Sequence, residues 1–329
     1  MLNNQIILVT GGTGSWGYEL INQLLDKKPK EIRIFSRNEA NQFTMKQMFD
    51  HNPKLRFIIG DIREKEALIG ACQDVDYIFH LAALKHVPVC EEQPMEALKT
   101  NVIGTQNVIE AAIQSGVKKV VYISTDKASD PLNFYGFSKA MGERLIIHAN
   151  TLSTHTKFVC IRGGNVLGTS GSVIHVFKRQ IQEKQKIGIT DPNMTRFFLS
   201  VQDAIKLVLE ATYESIGGEI FVMKMPSCKI IDLAQALIAA SGEKNIEFDI
   251  LGIRPGEKIH ELLLSANESM KTIIYDQEYF VILPTIHIDG LMEHYAKYPA
   301  VKIGNYSSEK GLMSKDEIKE MLKKGGFIK

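Results

Sequence analysis

Tyr135 and Lys139 stand four residues apart, shortly after Ser124, Thr125, Asp126 and Lys127. A free phenol ionises near pH ~10, and a cation a few ångströms away lowers that value by favouring the phenolate. Such a tyrosine can take a proton from an alcohol. The pair is a weak signal alone, because any helix can carry Tyr and Lys at this spacing; a threonine, an acid and a second lysine close by raise its weight. Val120-Val121-Tyr122-Ile123 reads as a buried strand that delivers these groups at its end. Pro131 and Asn133 mark a turn, and the spacing Phe137, Met141, Leu145 predicts a helix that places Tyr135 and Lys139 on one face.

The elements that would position this group begin at the N-terminus. Ile6 to Thr10 reads as a strand, followed by Gly11-Gly12-Thr13-Gly14-Ser15-Trp16-Gly17 and a helical stretch through Leu24. Glycines let a pyrophosphate approach the backbone, and a helix N-terminus offers it free N–H groups. Gly11, Thr13, Gly14, Ser15, Trp16 and Gly17 are therefore expected to hold a dinucleotide. A second strand, Glu31 to Phe35, ends at Ser36 and Arg37, where an acid would suit the ribose hydroxyls of NAD. Serine and arginine suit a 2′-phosphate, so NADP is the expected cofactor. Asp61 after the third strand could accept from the adenine amino group or cap a helix. Ala82 and Ala83 after the fourth strand leave room for the cofactor, and Lys85 is placed to contact an anion or a sugar.

Strands alternate with helices to Phe158–Ile161, including a long helical region from Pro94 to Ser115, which predicts an α/β doubly wound parallel sheet of Rossmann type. The alternation then fades. Residues 1–165 are expected to form the NADP-binding domain, and 166–329 mainly a smaller substrate-binding lobe with some segments returning to the first. Gly171-Ser172-Val173, Thr190-Asp191, Met194 to Phe197 and Gly252 to Lys258 read as loops of that lobe, with Arg196 and Arg254 suited to clamp a diphosphate. Met313 to Lys324 reads as a charged helix.

With 329 residues, 39 basic and 38 acidic, the chain carries a net charge of +1. That balance gives no electrostatic reason to propose nucleic acid or a polybasic membrane contact. Cys72, Cys90, Cys160 and Cys228 are too scattered for a zinc site and are expected to be buried, reduced thiols. No metal is expected. No apolar run approaches a membrane span, and the first strand leaves no room for a leader, so a soluble cytoplasmic protein is the expectation.

Gly11 to Gly17, Asn101, Ser124 to Lys127 and Tyr135 to Lys139 resemble the extended short-chain dehydrogenase/reductases. Within them Ala82 to Pro88, Ser124 to Ala128, Met194 to Phe197 and Arg254 to Glu261 are similar to the UDP-N-acetylglucosamine 4,6-dehydratases of surface-glycan biosynthesis. The resemblance runs from about Gln5 to Pro284. It implies a Rossmann lobe, a recycled NADP, a UDP-sugar and a homo-oligomer.

Thr125, Asp126, Lys127, Tyr135 and Lys139 are the expected catalytic residues. Ile62, Tyr135 and Lys139 join the cofactor contacts named above. Lys85, Asn165, Ser172, Val173, Thr190, Arg196, Arg254 and Glu257 are the expected substrate contacts. In this scheme Tyr135, aided by Lys139 and Thr125, takes the C4 hydroxyl proton. Lys127 takes the C5 proton, Asp126 protonates the departing C6 hydroxyl, and C5 is inverted. A neutral Lys127 is required, and bringing a lysine from ~10.4 to ~7 costs about 4.6 kcal/mol; burial, Lys139 and the nicotinamide charge are expected to supply it.

The Asp126-Lys127 pair argues against a UDP-sugar 4-epimerase, and the intact Thr125, Tyr135 and Lys139 argue against a non-catalytic NADP-binding regulator. C5 retention and release of the 5,6-ene are alternatives within the same chemistry. Two residues depart from the family pattern. Trp16 replaces a usual phenylalanine, and Gly163 replaces an aromatic residue, which predicts a wider sugar pocket.

Overall fold

Strand β1 (Ile6–Thr10) is apolar along its whole length, and Ile7, Leu8 and Val9 are fully buried, as a strand covered on both faces requires. Around it a computed structural model, which describes residues 1–169, 171–183, 186–243 and 245–328, builds a nine-stranded sheet. On one side of β1 lie β2 (Glu31–Ser36) and β3 (Leu55–Ile59). On the other lie β4 (Tyr77–His80), β5 (Lys119–Thr125) and β6 (Lys157–Gly163). The strand Ile220–Met223 continues the parallel run beside β6, and the hairpin Thr272–Ile274/Tyr279–Ile282 closes that edge antiparallel. The strand order reverses between β1 and β4. Open α/β sheets bind ligands at the carboxyl ends of the strands at such a point.

The region expected as the long helix does run from Pro94 to Gln114, but Leu98–Ile103 within it is wound as a π-helix. This turn carries Asn101, whose side chain accepts from Leu84 N at 2.8 Å and donates to Leu84 O and Ser138 Oγ, both at 2.9 Å. Such local widening recurs at functional sites.

Helix Phe134–Ala149 begins at Asn133, whose side chain accepts from Gly136 N at 2.8 Å and donates to Gly256 O at 2.9 Å. The cap contributes about 1 kcal/mol. The expected apolar stripe does not face the core. Phe137 and Met141 are half exposed, and the helix buries Gly136, Ser138, Lys139, Gly142, Glu143, Ile146 and Ile147 instead. The reason is close approach: a Cβ on Gly136 would sit 2.3 Å from Lys127 O.

The second lobe packs its own core from Leu167, Phe177, Ile187, Phe198 and Leu233, closed by Ile318 and Leu322 of helix Lys315–Lys324. Two segments expected as loops are regular elements here. Thr195–Leu199 is a strand paired with Ser227–Lys229 and Asn165–Val166, and Val173 opens helix Val173–Gln182. Thr195 to Phe198 are all buried, so this strand shows neither the alternation nor the pure apolar run that marks strands in sequence.

Arg162 at the end of β6 ties the layers together. It is 1 % exposed and is held by Glu143 of the tyrosine helix and by Glu268, with contacts of 2.6–3.1 Å that include Leu263 O. Glu268 also accepts from Ser129 Oγ at 2.9 Å, just past the end of β5. A buried guanidinium is tolerated because every face of it is paired.

Candidate active site

A cavity of about 680 Å³ opens at the carboxyl ends of β1, β4 and β5. Helix α1 (Ser15–Asp26) points its N-terminus at it, with Gly14 at the N-cap, and the partial positive charge of a helix N-terminus favours an anion there. Gly17 packs so tightly on the preceding loop that a Cβ would lie 2.1 Å from Gly12 O. Gly11, Thr13, Gly14, Ser15, Trp16 and Gly17 all line the cavity. The chain therefore fits a dinucleotide pyrophosphate here.

Ser36, Arg37, Asp61 and Ile62 form the cavity's outer end. Gln42 Nε2 donates to Ser36 Oγ at 2.9 Å, while Arg37 is half exposed and reaches 3.8 Å from Asp61. Asp61 accepts from Arg63 N at 2.9 Å and from the Arg63 guanidinium at 2.6 and 2.8 Å. Partial burial would raise this carboxyl, but the Arg63 contacts outweigh it and hold the group below the ordinary aspartate value. Asp61 is not the helix cap; that position belongs to Glu64. Ala82, Ala83 and Lys85 lie along the middle of the cavity.

Thr125, Lys127, Tyr135 and Lys139 meet at its inner end. Lys139 is buried, donates to Ile123 O at 2.7 Å and lies 3.9 Å from the centre of the Tyr122 ring. Burial lowers it to about 7. Burial likewise pushes the Tyr135 phenol up to about 12, against the pull of Lys127 and of the Thr125 hydroxyl. The phenol therefore stands above its ordinary value, with the Lys127 ammonium pulling against burial.

Asp126 and Lys127 form a short 3₁₀ turn directly after β5. Asp126 is fully buried behind the cavity wall, where its Oδ1 accepts from Thr125 Oγ1 at 2.9 Å and from Lys127 Nζ at 3.0 Å. Lys127 Nζ also lies 3.2 Å from Glu261 Oε1. Burial disfavours the Lys127 ammonium, but the Asp126 and Glu261 carboxylates outweigh it and hold the lysine above its ordinary value. The two carboxylates thus favour a protonated Lys127, and the neutral form that the reaction requires is reached only when that proton is passed on. Burial, with Glu261, raises Asp126.

Behind the site a buried chain runs from Thr10 Oγ1 to His80 Nδ1 at 2.7 Å, then from His80 Nε2 to Thr105 Oγ1 at 3.1 Å. Burial, with Lys139 nearby, drops His80 to about 3, so the ring is neutral.

Asn165, Ser172 and Val173 form the far wall. Thr190, Arg196, Arg254 and Glu257 are not among the residues that line this cavity. Arg196 is buried and spends its Nη1 on Thr195 O at 2.7 Å and Ile259 O at 3.0 Å, with Nε 3.6 Å from Glu261; Arg254 lies on an exposed turn. A buried guanidinium must be satisfied locally, which turns it from the cavity. The absent ring at Gly163 does not widen the pocket either. A Cβ there would meet Met223 Sδ at 3.2 Å, and Met225 Sδ accepts from Gly164 N at 2.9 Å, so two methionines fill the space.

Glu261 ends the segment Arg254 to Glu261 that carries the family resemblance, but the sequence assigns it no role at the site. It stands directly before the apolar strand Leu262–Leu264. Its partner is 134 positions away, from 261 back to 127.

A parallel sheet with this glycine turn, strand-end threonine and helix-borne Tyr135 and Lys139 defines an extended short-chain dehydrogenase/reductase. The chain belongs to the family described as polysaccharide biosynthesis protein, whose model matches residues 7–283. It is 46% identical over 290 residues to the UDP-N-acetylglucosamine 4,6-dehydratase (inverting) of Campylobacter jejuni subsp. jejuni serotype O:2, covering 87% of this chain and 85% of that one. It is 41% identical over 335 residues to the UDP-glucose 4-epimerase of Rickettsia canadensis, covering 98% and 96%. The X-ray structure of Pen from Bacillus thuringiensis superposes over 100% of both chains with a TM-score of 0.92 and 38% identity.

Proposed function

We propose that the protein is an NADP-dependent UDP-N-acetylglucosamine 4,6-dehydratase that inverts C5. The observation that carries this reading is Lys127, which reaches the cavity wall beside Tyr135 while hydrogen-bonded to the buried Asp126. Elimination across C5–C6 needs a base for C5 and an acid for the C6 hydroxyl. Passage of one proton along the 3.0 Å bond from Lys127 Nζ to Asp126 Oδ1 supplies both forms at once and leaves the net charge of the cluster unchanged. The raised proton affinity of Asp126 favours that passage.

Bound NADP would accept a hydride from C4 and return it to C6. Tyr135 takes the C4 hydroxyl proton, with Lys127 and Thr125 stabilising the phenolate, and Lys139 holds the tyrosine helix against Ile123 O. Lys127 then takes the C5 proton, and the proton held by Asp126 passes to the leaving C6 hydroxyl through the Thr125 hydroxyl, which lies 2.9 Å from Asp126 Oδ1 and lines the cavity. Return to C5, from the face opposite Lys127, of the solvent-exchangeable proton that Tyr135 took gives inversion and restores the starting charges of the site.

Ser36 and Arg37 at the outer end of the cavity support a 2′-phosphate and hence NADP. Four unpaired, buried cysteines fit a reducing cytoplasm, and half-exposed Phe137 and Met141 fit a homo-oligomer. No helix among the described residues is long and apolar enough to cross a membrane.

The test is a proton NMR time course with UDP-N-acetylglucosamine in deuterated buffer. A new C6 methyl signal with deuterium at C5 is expected, and the ring couplings report the C5 face; vinyl signals would mean release of the 5,6-ene. The similarity to the Rickettsia protein favours a second reading, 4-epimerisation. In that case the C4 configuration would change with C6 intact.

A further inference from the structure

Lys127 reaches the cavity wall from between two carboxylates. Asp126 lies beside it on the strand-end turn, and Glu261 meets it from just before the strand Leu262–Leu264, 3.2 Å away and 2 % exposed. Glu261 cannot drift. Its N–H donates to Ser308 Oγ at 2.9 Å, its carbonyl accepts from Ser308 N at 2.9 Å, and Ser308 Oγ is 2.7 Å from Thr195 Oγ1. Glu261 Oε2 and Asp126 Oδ2 are both buried without a hydrogen-bond partner, so each carboxylate spends its paired oxygen on the same ammonium. An unsatisfied buried carboxylate oxygen is costly and calls for an explanation.

We propose that Glu261 is a positioning residue of the reaction: it anchors Lys127 Nζ at the cavity wall within hydrogen-bond distance of Asp126 and keeps that amine protonated between turnovers. The groups that face Lys127 are Asp126 on its own turn, Glu261 before the strand Leu262–Leu264, Arg196 on the strand Thr195–Leu199, Lys258 on the loop beside them, and the Tyr135 phenol. The two carboxylates are thus opposed by Arg196 and Lys258, and removing Glu261 leaves Lys127 with one anion against two cations. Glu261 does not line the cavity and acts only through Lys127.

The role in turnover rests on the dehydratase reading, so the test has one readout that needs no substrate. Protein labelled with ¹³C-lysine is titrated by NMR from about pH 6 to about pH 11, with the Lys127 signal assigned by its loss in Lys127→Met. The parental Lys127 signal is expected to stay that of the ammonium throughout this range, because Asp126 and Glu261 hold it above the ordinary lysine value, and in Glu261→Gln an inflection is expected to fall into the range. Glu261→Asp keeps the charge but withdraws it by one methylene, and a smaller fall is expected. This variant carries the test if Glu261→Gln does not fold.

The alkaline limb of the rate profile for C5 deuterium incorporation, where the proton shared by Lys127 and Asp126 is lost, is expected to move in the same direction, with kcat changed and KM retained. Coincident Lys127 titrations in parental and variant proteins would overturn the proposal. A shifted titration with an unmoved rate profile would refute the part assigned to Glu261 in the reaction. A uniform loss of rate at every pH with no titration shift would reduce the residue to a structural one.

Discussion

Gly136 is the residue on which the geometry of the tyrosine helix turns. It lies between Tyr135 and Lys139, and a Cβ on it would stand 2.3 Å from Lys127 O, where ordinary contact begins near 3.4 Å. Gly136→Ala therefore forces the first turn of the helix and the Asp126–Ala128 turn apart by about 1 Å, since the obstacle is backbone on both sides. Overpacking of this kind costs about 1–3 kcal/mol. A misplacement of about 1 Å between reacting groups costs about 100-fold in rate.

The expected outcome is a folded protein with a lower Tm and a kcat reduced about 100-fold, measured by the NMR time course at saturating sugar nucleotide. Met141→Ala on the outer face of the same helix serves as control and is expected to retain the parental rate. Parental kcat and Tm in Gly136→Ala would show that the two turns are not locked together, and the positional argument would fail.

Lys139 supplies a pH prediction. Its folded value is lowered to about 7 by burial, against an ordinary 10.5. Between those values the unfolded chain binds a proton that the folded chain does not, so this group makes stability rise with pH across that window. Lys139→Met, which keeps the length and removes the charge, is expected to raise the Tm of cofactor-free protein most below about pH 7, with the gain fading toward pH 10.5; parallel Tm–pH curves would refute it. Arg37→Ala is expected to weaken NADP binding about tenfold while leaving NAD binding unchanged, as one lost charge-assisted contact at a half-exposed site predicts. Quenching of Trp16, the sole tryptophan and a cavity residue, reads both affinities, and equal weakening of the two would remove the 2′-phosphate assignment.

The chain's local chemistry made much of this protein legible before folding. Strand β1, the glycine turn and the opening of α1 depend on neighbours in sequence, because a tight turn and a buried strand state their requirements within a few residues. The same holds for the Thr125-Asp126-Lys127 and Tyr135-x-x-x-Lys139 groups, whose spacing alone places them on one strand end and one helix face.

Only the tertiary structure decided which charges meet. Lys127 pulls against the burial of Tyr135, and Glu261 meets Lys127 from 134 positions along the chain. Arg196 is turned into the protein by the carbonyls it must satisfy, and Met223 and Met225 fill the room that Gly163 leaves. Electrostatic and packing energies depend on distance in space and on burial, and neither is encoded by separation along the chain.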